Sequence, residues 1–140
     1  MEQEDYLKRQ IDQLGRVLGT ILADLLGFRA KGQIGEGIEA TDQALKRGLD
    51  LNINDLISIP PEKFIQRLQE VKKLSNDSFD KLADILFLLA EEPARQDIDN
   101  ERRKQLYESA RVIYEHLDKT SPTYSFDRHY KIEKIKNAFQ

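Results

Sequence analysis

The side chains best equipped for chemistry in this chain are two imidazoles, His116 and His129, and a large set of carboxylates. A zinc site on one helix takes ligands at HxxxH or HExxH spacing. Neither spacing occurs, and the two histidines fall on different expected helices, so a metal site would need carboxylates delivered by folding. Glu91, Glu92, Asp97, Asp99 and Glu101 crowd one loop but lack the D-x-D-x-D-G order and closing glutamate of a calcium loop. Solvated loop charge, matched to the start of the next helix, accounts for them. The glycine-rich run KGQIGEG (31–37) follows a helical pattern rather than a strand, and no GK[ST] is present, so it reads as a helix-to-helix turn and not as a phosphate cradle. There is no G-x-S-x-G elbow and no cysteine, which reduces the covalent nucleophiles to lysine or carboxylate. A non-catalytic chain without a cofactor is the leading expectation. The alternative is a small helical enzyme or cation-binding bundle using carboxylates and one histidine.

Tyr124, Phe126, Arg128, His129 and Tyr130 form an aromatic and basic cluster just after Ser121-Pro122. Tyrosine and arginine are over-represented at the energetic centres of interfaces, which makes Tyr124, Arg128, His129 and Tyr130 candidate partner-binding residues. The plainer expectation, and the favoured one, is that the aromatics pin a terminal helix to the body.

The elements that must carry these residues are helical. Leu7, Ile11, Leu14, Leu18, Ile21, Leu25 and Phe28 recur at alternating spacings of four and three, which predicts one long helix over 4–30. Gly32 supplies its left-handed cap. A second helix over 34–49 turns Ile34, Ile38, Thr41, Ala44 and Leu45 inward, and the short connection makes the pair antiparallel neighbours. Residues 50–60 read as a connector with one turn around Asn54 to Ile57. Proline at 60 and 61 opens a third helix over 61–74 carrying Phe64, Ile65, Leu68 and Val71. Ser75-Asn-Asp-Ser78 supplies cap oxygens for a fourth, 77–92, whose FDKLADILFLLA is apolar nearly all round and belongs at the centre. Leu106, Ala110, Ile113 and Leu117 align on a fifth helix over 99–119. A sixth, 125–139, turns Ile132, Ile135 and Phe139 inward and Lys131, Lys134 and Lys136 outward. No stretch alternates apolar and polar residues, so no sheet is expected. The expectation is a single all-α domain over 1–140 of about six helices in antiparallel hairpins: one and two (4–49), with three and four (61–92) and five and six (99–139) as further pairs, although the longer loops leave the pairing of the later four open.

Within the first helix, Gly15, Gly19, Ala23 and Gly27 recur every four residues along one ridge. Each interior glycine costs about 1 kcal/mol against alanine, so the ridge points to a close packing contact. The second helix, with Gly37, Ala40, Thr41, Ala44 and Gly48, is its natural occupant; a homodimer seam or partner groove is the sharper reading. Ridges at i, i+4 suit a crossing near about −50° and the leucine heptad one near about +20°, and both stay open.

KGQIGEGIEATDQALKRGLDL resembles the second half of a tetratricopeptide repeat. Ile34 takes the aromatic turn place, Gly37 and Ala44 the small packing places, Thr41 the bulky place between them, and Phe28 the aromatic near the end of the preceding helix. Leu25 and Leu49 depart from the pattern, standing where a small residue and the closing proline belong. RRKQLYESARVIYEHLDKTSP is a weaker echo through Tyr107, Ala110 and Tyr114. The layout is similar to a family of short uncharacterised bacterial proteins with tetratricopeptide-like folds. The resemblance implies a fold, no activity, and a concave surface offered to a peptide or protein.

The bulk composition bounds the partners. At 140 residues, 39% hydrophobic and 34% charged, the chain can bury a core without staples. A net charge of −3 provides no general field toward nucleic acid or anionic lipid, and the most apolar stretch, LGRVLGTILADLLGF, is interrupted by Arg16 and Asp24 and too short to span a bilayer. The absence of cysteine suits a reducing cytoplasm. The function expected from these readings is a protein- or peptide-interaction module, self-association included.

Overall fold

A computed structural model describes residues 2–49, 52–72, 75–91, 100–121 and 125–138. Seven helices are present among them: α1 (Glu2–Ala30), α2 (Ile34–Leu49), α3 (Ile53–Ile57), α4 (Pro61–Lys72), α5 (Asn76–Glu91), α6 (Asn100–Thr120) and α7 (Phe126–Ala138). The described residues contain no strand. The seventh element is the connector's single turn, α3, which Asn52 caps by accepting from the Asn54 and Asp55 backbone N–H groups at 2.9 and 3.4 Å.

Local chemistry sets the boundaries. Gly32 adopts φ +72°, and behind it the Gln33 N–H donates to the Phe28 carbonyl at 2.8 Å while the Gly32 N–H donates to Arg29 at 3.1 Å. That pair of bonds is a Schellman cap, which satisfies two of the last carbonyls of α1. Ser75 Oγ accepts from the Ser78 N–H at the start of α5, and Ser125 Oγ accepts from the Arg128 N–H at the start of α7.

The periodic positions go where their spacing sends them. Leu18, Ile21 and Leu25 of α1, Thr41 and Leu45 of α2, Phe64 and Leu68 of α4, Leu106, Ala110, Ile113 and Leu117 of α6, and Ile132 and Ile135 of α7 are all buried. Helix α5 is the most enclosed, with most residues from Ser78 to Ala90 buried, while Asp80, Lys81, Asp84 and Leu88 share its one partly exposed face. The expected inward positions Leu7, Ile11, Ile34, Val71 and Phe139 lie outside the described side chains.

Helix order in space departs from helix order in sequence. Helices α1 and α2 pack antiparallel, with Val17 against Gly48 and Phe28 against Gly37. Helices α6 and α7 also pair, tied antiparallel by Asp118 and Arg128. The pairing that the longer loops leave open is decided here: α4 packs on α6, and the most extensive helix interface is α5 on α6. Phe79 meets His116 and Phe87 meets Tyr107, so α5 and α6 are antiparallel. Helix α1 lies on the other flank of α5 and runs parallel to it, from Gly15 beside Ser78 to Arg29 beside Glu91. The physical reason lies in α5 itself. A helix apolar nearly all round needs partners on several sides, and α4 has only one apolar face, whereas α1 and α6 together cover two.

The glycine ridge is corrected in the same way. Helix α2 does not occupy it. A methyl on Gly15 would meet Ser78 Oγ at 3.3 Å, and one on Gly19 would meet the Lys81 side chain at 3.6–3.9 Å, both on α5. Lys81 runs over Gly19 and donates from Nζ to the Gly15 carbonyl at 3.3 Å, so this half of the ridge is a trough for a lysine stem. Ala23 and Gly27 are exposed, and a methyl on Gly27 would meet nothing. The close approach of α2 to α1 rests on other glycines: a methyl on Gly37 would come within 2.7 Å of Phe28 Cβ, and one on Gly48 within 2.6 Å of Val17 Cγ1.

Candidate functional site

The expected outward lysines of α7 do not all face solvent. Lys131 is partly buried between the rings of Phe87 and Tyr114, 5.8 Å from each centroid, and donates to Asp84 and Asp127 at 2.8 Å. Tyr114, fully buried, donates its hydroxyl to the same Asp84 oxygen. Burial and the Asp84 charge push this phenol far above its ordinary range, so it remains a donor. Burial alone would lower Lys131, but its bonds to Asp127 and Asp84 outweigh that, and the ammonium is held above its usual value. Asp80, one turn before Asp84, is raised by burial and by Asp84, against the pull of Arg128 and Lys131. With Tyr114 sealed from solvent, this cluster has the geometry of a pin that docks α7 across α5 and α6.

Arg128, a candidate binding residue, belongs to the same pin. It is 8% exposed, with Nε donating to Asp118 at 3.2 Å. Burial with a charged partner keeps it from an incoming ligand. Tyr124 lies outside the described residues, His129 is exposed on α7, and Tyr130 is 62% exposed. The structure thus places Arg128 inward against Asp118 and Tyr130 outward on the same helix.

Between the C-terminal half of α1 and the exposed side of α7 lies a groove of about 320 Å³ floored by α5. Leu22, Leu26, Phe87, Leu88 and Tyr130 supply its apolar lining. Leu26 is 47% exposed, although the pairing of α1 with both α2 and α5 buries its neighbours Leu18, Ile21 and Leu25. At one end Glu91 is shared: Lys134 donates to one oxygen, and Arg29 Nη1 lies 3.7 Å from the other. The hydrogen bond to Glu91 raises Lys134, which stays charged. Nothing in the sequence brought Leu22, Leu26, Arg29 and Glu91 to the same place as Tyr130, because the groove requires α1 and α7 on opposite flanks of α5. The only hint was that Leu22 and Leu26 form a second leucine row beside Leu18 and Leu25.

Two other cavities are smaller. One of about 260 Å³ lies between residues 57–64 and the N-terminal half of α6, walled by Pro60, Pro61, Lys104 and Glu108. The other, about 50 Å³, separates α1 from α2 near Phe28 and Gly37.

His116 lies against an aromatic ring. His116 stacks on Phe79 with ring centroids 5.7 Å apart, and its buried Nε2 makes no hydrogen bond. Burial and the Lys119 charge push its pKa down, so the neutral ring is favoured. Among the described residues no group of three His, Asp or Glu side chains is arranged to hold a metal ion, and no helix is long and apolar enough to cross a membrane. Glu92, Asp97 and Asp99 of the acidic loop lie outside the described residues. Comparison with protein families, with curated proteins and with solved structures finds no match to this chain.

Proposed function

We propose that this chain is a non-catalytic protein-interaction module that receives a segment of another protein in the groove between α1 and α7. The observation that carries the reading is the exposure of Leu26 and Tyr130 on the two walls of one cleft whose floor holds Phe87 and Leu88 between Asp84 and Glu91. Large apolar side chains left in a cleft with paired charges at its end are the usual dress of a recognition site. The tetratricopeptide resemblance of 31–51 agrees with this, since such helix hairpins present concave faces to peptides. A reducing compartment such as the cytoplasm suits a chain with no cysteine.

The test is a photo-reactive amino acid placed at Leu26 in the intact chain, expressed in the native cell. A discrete cross-linked protein is expected, absent when the same probe replaces exposed Glu39 on α2. Equal cross-linking from both positions, or none from Leu26, would remove the groove from consideration.

A further inference from the structure

Resting on the groove just described, we infer that its occupant is a peptide segment that places a carboxylate beside an apolar anchor. The argument is one of charge complementarity. Lys131 is committed to Asp84 and to Asp127 one turn before it, and at 17% side-chain exposure it presents little positive charge outward. Glu91, the other carboxylate of the groove, is only 13% exposed and lies between two cations that are not enclosed: the side chains of Arg29 and Lys134 are 51% and 44% exposed. An arriving ligand therefore meets two solvent-facing cations above a carboxylate that is mostly covered. One anion is shared between two cations, so the described side chains at this end of the groove, Arg29, Lys134 and Glu91, leave one positive charge unmatched on a chain that is acidic overall. A second carboxylate set beside Glu91 completes the balance without displacing an existing bond, because Arg29 holds a long contact and has further N–H donors to offer. The apolar partner of that carboxylate seats on Leu22, Leu26 and Tyr130, which gives the ligand a fixed polarity along the groove. A basic segment would instead bring a third cation against Arg29 and Lys134, and like-charge contact of this kind selects against wrong partners.

The experiment uses the full chain and a random linear peptide library displayed on phage. Selected peptides are resynthesised and titrated by fluorescence polarisation against wild type, Leu26→Asp, and the double variant Arg29→Gln with Lys134→Gln. Enrichment of aspartate or glutamate next to an apolar residue is expected. Loss of binding in Leu26→Asp is expected too, with about tenfold weaker binding in the double variant and a steep fall with added salt. Should the double variant fail to fold by circular dichroism, exchanging the peptide's acid for lysine on wild type reads the same interaction and must weaken it similarly. Apolar peptides with no acidic bias, lost in Leu26→Asp, would leave the groove standing and overturn its acidic preference. Absence of enriched peptides, or binding indifferent to Leu26→Asp, would overturn both. A wild-type dimer in analytical ultracentrifugation that Leu26→Asp dissociates would make a second copy the occupant and also overturn the inference.

Discussion

At the scale of single residues, the glycines divide by what surrounds them. Gly27 faces open space in the last turns of α1, so Gly27→Ala adds helix propensity with no steric cost and should raise stability by about 0.5–1 kcal/mol. Gly37 has Phe28 Cβ where its own methyl would lie. Gly37→Ala should therefore lower stability by about 1–3 kcal/mol, as overpacked core sites do. Urea denaturation of both variants checks the pair, and equal effects would refute the assignment of the close contact to α2. His116 and Asp80 give opposite pH signatures. His116 has a folded pKa below its usual 6.5, so the unfolded chain binds more protons and the stability from the neutral ring is present above about pH 6.5 and lost as pH falls. His116→Phe keeps the contact with Phe79 and should flatten that part of the profile. Asp80 has a folded pKa above 3.8, so it weakens the fold once both states are ionised. Asp80→Asn should be stabilising at neutral pH and should lose that advantage below about pH 3.8.

At the scale of elements, α7 is held by few apolar residues and several charges. Ile132 and Ile135 are buried, and its ties include Arg128 to Asp118, Lys131 to Asp84 and Lys134 to Glu91. Asp84 serves both Tyr114 and Lys131, so Tyr114→Phe removes one of two donors and should cost about 1–3 kcal/mol. A double-mutant cycle between Tyr114→Phe and Lys131→Met should show coupling, since both act on one carboxylate oxygen. Strict additivity would mean that the cluster is not a single unit. The boundaries of α7 and its two isoleucines were legible in the periodicity. The inward lay of Lys131 and Arg128 was not, because helical spacing says which face a residue is on and not what the neighbouring helix offers it.

At the scale of the whole molecule, the core and the groove should respond independently. Leu86, fully buried on α5, is enclosed by its neighbours on every side, and Leu86→Ala should cost about 2–5 kcal/mol. Leu26→Asp and Tyr130→Ala fall on exposed groove walls and should move stability by no more than about 0.5 kcal/mol while abolishing peptide binding in the groove. Thermal melts followed by circular dichroism separate the two classes. A large loss in Leu26→Asp would identify that leucine as core rather than as a recognition surface.

The chain by itself determined the helical segments expected from its periodicity, several of their caps and most of their apolar faces. These depend on 3.6-residue periodicity, on side-chain oxygens at helix starts, and on one glycine in the left-handed region at position 32. All of these are local and operate within a few residues along the chain. Only tertiary structure decided that α5 pairs with α6 rather than α4, that the ridge of Gly15 and Gly19 receives Lys81 while α2 closes through Gly37 and Gly48, and that Arg29, Glu91 and Lys134 meet at one end of a groove. An apolar face states that it will be buried and leaves open against what. That choice is made by competition among all the faces in the molecule at once, and α5, with the widest apolar surface, had the most partners to choose from.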